Sequence, residues 1–157
     1  MLNSLPKNVV TVLTNYYSAV WLSCCNADKQ PMIARLSSIS IIDSDTIRCY
    51  IPAKFATELL PALIKHAPVS VMAACTETFD SYQVKGFIES VDKIQPELIE
   101  GQQNIIELFG KVLVRQGFSA ENLYKAYADN DFAAVVIKVK DVFEQTPKTG
   151  TGTKINA

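Results

Sequence analysis

Between Tyr17 and Ile51 three β-prone runs follow one another with almost nothing between them. Tyr17 to Asn26 is rich in aromatic, β-branched and small residues, Met32 to Ile42 sets Ile33, Ile39 and Ile41 on one parity, and Thr46 to Ile51 follows directly. The connections, Asp28-Lys29-Gln30-Pro31 and Asp43-Ser44-Asp45, are turn chemistry. They are far shorter than the dozen or so residues that a parallel crossover needs, so these strands must pair as two successive antiparallel hairpins.

The rest of the chain alternates helices with further strands. Leu5, Val9, Val10, Leu13, Tyr16 and Tyr17 recur at helical spacing, with Ser4 ahead of them as an N-cap. A helix over 56–66 carries Leu59, Leu60, Leu63 and Ile64, opens near Thr57, and holds Pro61 close to its first turn. Pro68 restarts the chain in the strand Val69 to Ala74, and a second strand runs from Tyr82 to Asp92, in which Gly86 marks a bulge or a close backbone approach. Pro96 begins the longest helix, 96–116, with a stripe of Ile99, Ile105, Ile106, Phe109, Val112 and Leu113. Ser119 caps a short helix reaching about Ala128, and Phe132 to Phe143 is a long apolar last strand. Pro147 to Lys154 is polar and glycine-rich, which predicts one domain over 1–147 and a flexible C-terminal tail over 148–157. The expected fold is mainly β (α+β): six or seven antiparallel strands in a Greek-key barrel with peripheral helices.

Composition excludes several classes of function. Fifteen basic residues against sixteen acidic ones leave no electrostatic footprint for nucleic acid or an anionic membrane. The N-terminal residues lack a basic segment followed by an apolar block, and no run is long enough to span a bilayer, so a cytoplasmic protein is expected. Four cysteines without Cys-x-x-Cys spacing read as buried free thiols in a reducing compartment. His66 is the single imidazole, which leaves zinc sites, Ser-His-Asp triads and haem ligation with almost no raw material.

Several stretches, taken in order, resemble a known family. Ala34-Arg35-Leu36-Ser37-Ser38-Ile39 leads through Tyr50-Ile51-Pro52-Ala53-Lys54-Phe55-Ala56-Thr57-Glu58 to Pro68-Val69-Ser70-Val71. Tyr82-Gln83-Val84-Lys85-Gly86 and Ala133 to Val139 complete the pattern, and the final strand ends in Val142-Phe143-Glu144-Gln145-Thr146. Together these are similar to the FMN-binding split-barrel family, the relatives of pyridoxamine 5′-phosphate oxidase, and most of all to its small FMN-binding proteins. The resemblance implies a split barrel that forms a homodimer, holds non-covalent FMN in a groove between subunits, and serves an unknown redox partner as oxidoreductase or electron carrier.

It also implies roles for particular residues. Arg35, Ser37, Ser38, Lys54 and Thr57 would surround the phosphate, where a guanidinium, hydroxyls and a helix N-terminus supply donors and positive charge. Tyr50 and Ile51 would lie along the isoalloxazine ring, and Ser81, Gln83 and Lys85 would offer polar contacts to it. Ala56 stands at a lysine of the small FMN-binding proteins and Pro52-Ala53 at their glycines, which puts the phosphate's charge on Arg35 or Lys54. No counterpart of the oxidases' substrate-binding Arg and His residues stands near the C-terminus, so true oxidase activity is not expected, and no side chain is nominated as a catalytic acid or base.

Each residue has a plainer role open to it. Arg35 could pair with Asp43, Asp45 or Glu58, Lys54 and Lys85 could be solvated, and Thr57 could be an N-cap alone. Ser37 and Ser38 could be edge-strand hydroxyls, and Trp21 either shields the ring or belongs to the core. A flavin-free dimeric barrel with a binding or interaction role is the alternative function.

Overall fold

The computed structural model describes residues 4–127 and 129–155. Helix α1 (Lys7–Thr14) precedes strands β1 (Ser18–Cys25), β2 (Pro31–Arg35), β3 (Ser38–Ile41) and β4 (Thr46–Pro52). Helix α2 (Ala53–Leu59) and a 3-10 turn (Leu60–Ala62) lead to β5 (Pro68–Cys75) and β6 (Ser81–Lys93). Helices α3 (Pro96–Arg115) and α4 (Ala120–Tyr127) then precede β7 (Phe132–Glu144) and the short β8 (Lys154–Ile155). No helix among the described residues is long and apolar enough to cross a membrane.

All pairings are antiparallel, in the order β2-β1-β5-β6-β7-β4-β3, with β8 on β7. The two ends of that path, β2 and β3, are consecutive in the chain. The run Met32 to Ile42, expected as one strand, is therefore broken at its middle. The Leu36 amide donates to Val20 O on β1, whereas the Ser37 amide donates to Tyr50 O on β4. The backbone changes sheet partners between two residues, and that covalent corner closes a barrel whose ladder stays split.

Inside, one residue of each alternating pair fills the core. Leu22, Ile47, Ile51, Val71 and Ile88 are wholly buried, and α1 adds Val9 and Leu13. Among the described residues the strand count of eight exceeds the expected six or seven because of the broken run and β8. Residues 148–155, expected to form part of a loose tail, make a turn and return to the sheet: Gly152 donates to Glu144 O, and Lys154 and Ile155 pair with Phe143 and Val142.

Two details of α2 differ from the sequence expectation of a helix over 56–66. It starts at Ala53, directly after Pro52 leaves the β4 ladder, and ends at Leu59. Pro61 has no N–H to continue the i→i−4 pattern, so the chain tightens into the 3-10 turn. Thr57 thus lies mid-helix, and its hydroxyl donates back to Ala53 O at 3.0 Å.

Gly86 meets the expectation. The β6–β7 register steps from Lys85↔Asp141 to Gly86↔Val139, a bulge with Lys140 as the additional residue.

Candidate functional site

Residues that pair across an antiparallel ladder share a face, and register therefore places several of the nominated side chains together. Arg35 pairs with Trp21, Trp21 with Met72, Met72 with Gln83, and Gln83 with Phe143. This row crosses the outer face of the sheet, opposite the core. Ser81 and Lys85 flank Gln83 at the same parity. Gln83 is held on both sides: its amide nitrogen donates to Ser70 Oγ at 2.8 Å, and Gln145 Nε2 donates to its oxygen at 3.3 Å. Ser81 is buried, its hydroxyl spent on Phe79 O.

At the β2 end of the row, Arg35 is enclosed by rings. Its guanidinium carbon lies 5.0 Å from the Trp21 ring centre, 4.5 Å from Phe109 and 5.3 Å from Tyr127. The residue is half-buried, and loss of solvent lowers its pKa to about 10, with Tyr127 acting the other way. Arg35 pairs with none of Asp43, Asp45 or Glu58, and no carboxylate among the described residues lies within ion-pair distance of it. Asp45 instead binds Lys138 at 2.6 Å. Trp21 is no core residue but half-buried on the outer face, where it supports this guanidinium.

Beside it, Ser37 and Ser38 donate their hydroxyls to one oxygen, Gln102 Oε1 of α3, at 2.8 and 2.7 Å. Gln102 is buried against the barrel. The void among Arg35, Ser37, Phe109 and Tyr127 is only about 10 Å³, room for a single water molecule at most and far too small for a phosphate. The Arg35 side of the corner expected to take a phosphate is thus filled by α3 and α4, whereas a cavity of about 320 Å³ opens on the side lined by Ser37, Ser38, Tyr50 and Gln102.

The helix terminus expected to assist is also engaged. The Ala53 amide donates to Asp131 O at 2.9 Å and the Lys54 amide to Asp129 Oδ2 at 2.8 Å. Thr57, exposed and several residues into α2, is neither an N-cap nor part of that terminus. Ile51 points into the barrel with no exposed surface, so its side chain cannot line a ring slot. Tyr50 does face outward, but lies beneath α3 with Ile106 and Phe132. The Lys54 ammonium lies 5.5 Å from the Phe55 ring. Of the four cysteines, three are buried as expected and Cys25 is exposed. Burial raises the thiol pKa of Cys24 and Cys49, which keeps them protonated.

No family model matches the chain, and no curated protein matches it. Solved structures do. HupZ of Group A Streptococcus superposes on 95% of this chain and 98% of its own, with TM-score 0.58 at 11% identity. A candidate pyridoxamine 5′-phosphate oxidase from Lactobacillus delbrueckii covers 90% of this chain and 94% of its own, with TM-score 0.56 at 15% identity. The chain shares the split-barrel fold of these structures. An F420 reductase matches the same fold over 88% of this chain and 98% of its own, with TM-score 0.50 at 13% identity.

In this split barrel, donor chemistry and space give different answers about a phosphoryl group. The donors suit one: two hydroxyls already converge on a single oxygen, and a guanidinium beside them lacks an anion. Beside Arg35 the space is held by Phe109 and Tyr127, while Gln102 occupies the hydroxyls at the edge of the open cavity. Sequence reasoning missed Gln102, yet a signal was there. It falls in the same helical phase as Ile99, Ile106 and Phe109, and a polar residue in the buried phase of an amphipathic helix has a buried partner to satisfy.

Proposed function

We propose that the split barrel binds a flavin, as FMN, on its outer sheet face between two copies of the chain. The observation that carries this reading is Arg35, a half-buried guanidinium with no acid to pair with, in one row with Trp21, Met72 and Gln83. Taking a charge out of water without a counter-ion is costly, and a ligand anion would offset that cost. Arg35, Ser37 and Ser38 would hold the phosphate once α3 yields its place, while Gln83 and Lys85 offer polar contacts to the ring. Trp21, Met72 and the exposed Ile33 are the apolar side chains on the face that would meet a second copy. Two solved neighbours are redox proteins by name, an oxidase and a reductase. When bound, a flavin supplies hydride or single-electron transfer; the chain's own residues hold it and exclude water.

The test is a titration of FMN with the purified protein, followed by quenching of flavin fluorescence, together with the native mass in sedimentation. The expected result is saturation at one FMN per chain and a species of twice the 17.3 kDa chain mass. A colourless protein that leaves FMN fluorescence unchanged supports the second reading, a flavin-free dimeric barrel with a binding role. The closed void beside Arg35 favours that reading.

Gln102→Ala separates the two from another direction. Removing the shared acceptor of Ser37 and Ser38 should cost about 1–2 kcal/mol of stability in either case. Only if a phosphate oxygen competes for those hydroxyls does the same substitution tighten FMN binding.

A further inference from the structure

The bulge at Gly86 has a consequence at the other end of the outer face. An inserted residue re-aims the side chains around it. Lys140, the additional residue on β7, lines the same groove as Lys85 on β6. The groove has a volume of about 480 Å³, within the range of small-molecule sites. Pro31, Pro68, Val69 and Phe87 supply its apolar walls.

The charges in the groove do not cancel. Its one acid, Asp141, is bound by Lys154 Nζ at 2.5 Å, because β8 returns to pair with β7. That ammonium holds the Asp141 carboxyl below its ordinary range, with Lys140 and Lys85 adding to the effect. Lys85 and Lys140 have no carboxylate within ion-pair distance among the described residues. Their ammonium groups rest against rings instead, Lys85 at 4.7 Å from Phe143 and Lys140 at 5.8 Å from Phe87. Two positive charges therefore stand uncompensated over an apolar floor.

We infer that this groove binds a small anion with an apolar body, an aromatic or aliphatic carboxylate, sulfonate or phosphate, with Lys85 and Lys140 gripping the charged end. The inference shares Lys85 with the proposed ring contacts but stands apart from the phosphate end of the flavin reading, since Arg35, Ser37, Ser38 and Gln102 are not part of the groove.

The probe is 1-anilinonaphthalene-8-sulfonate, titrated into the full chain, with N-phenyl-1-naphthylamine as its uncharged counterpart. The sulfonate should bind saturably at one per chain, and Lys85→Gln/Lys140→Gln should weaken it about tenfold. The neutral probe should bind weakly and equally to both proteins. A second readout uses the exposed thiol of Cys25, which lines the groove: its alkylation by N-ethylmaleimide should slow when the sulfonate is saturating. The inference is overturned by unchanged sulfonate affinity in the double variant, by a neutral probe that binds as tightly as the anion, or by an alkylation rate that the sulfonate leaves untouched.

Discussion

Gly86→Ala is expected to destabilise the barrel by about 3 kcal/mol, at the upper end of what overpacking a closed interior costs. A Cβ at this position would stand 2.1 Å from Lys138 O, 2.9 Å from the same carbonyl carbon and 3.0 Å from Val139 Cα. All three are backbone atoms of β7, so no rotamer change relieves the contact. Nor can β7 retreat, since Lys138 and Ile137 are paired on the other side with Thr46 and Ile47 of β4. The measurement is urea unfolding, in which the midpoint should fall with little change in slope. Gly101→Ala and Gly110→Ala serve as controls, because nothing lies within 4 Å of the added carbon and both positions are helical. Those two should be neutral or stabilising by about 0.5–1 kcal/mol. A Gly86→Ala protein as stable as its parent would show that the bulge does not need the close approach.

Arg35→Met should separate stability from ligand binding. The guanidinium is stacked on Trp21, Phe109 and Tyr127, with no acid to compensate for the solvent it has lost. Methionine keeps much of the apolar stem and fills the space between the rings without a charge. Stability should therefore stay within about 1 kcal/mol of the parent or rise, as when buried charges give way to apolar side chains. FMN affinity should fall by about 1.5–3 kcal/mol, roughly ten- to 150-fold, if Arg35 grips the phosphate. Melting curves and FMN quenching on the same preparations decide it. Lost stability with unchanged FMN affinity would make Arg35 a packing residue and remove the main support for the flavin reading.

Much of the architecture was legible from residues alone, and the reasons differ by element. The hairpins of β1 to β4 follow from connections too short for anything else. Helix α3 follows from Pro96 and a long apolar phase, and the bulge from a lone glycine inside a strand. The helix after β4 was misplaced because Pro52 and Pro61 compete to set its limits. Pro61, read as a first-turn residue, in fact ends the helical hydrogen bonding. Thr57 moved with it, from a supposed cap to mid-helix.

The candidate site divides along similar lines. Ser81, Gln83 and Lys85 share a face because alternation along one strand is local. That Arg35 shares it too depends on the register of three ladders, which no spacing in the chain reveals. The filling of the Arg35 side by Phe109 and Tyr127, and the hold of Gln102 on the two hydroxyls, depend on how α3 and α4 dock. Their partners lie more than sixty residues away in sequence, as the 65-residue separation of Ser37 and Gln102 shows.

Local chemistry thus determined the strands, most of the turns and the antiparallel topology, since turn geometry and side-chain alternation act over a few residues. Tertiary packing alone decided which donors stay available. Hydroxyls, amides and a guanidinium look like a phosphate cradle in one dimension. In the folded chain the hydroxyls and amides are satisfied from within, because a buried polar atom takes whichever partner the docking helices bring to it, while the guanidinium is left against rings with no anion.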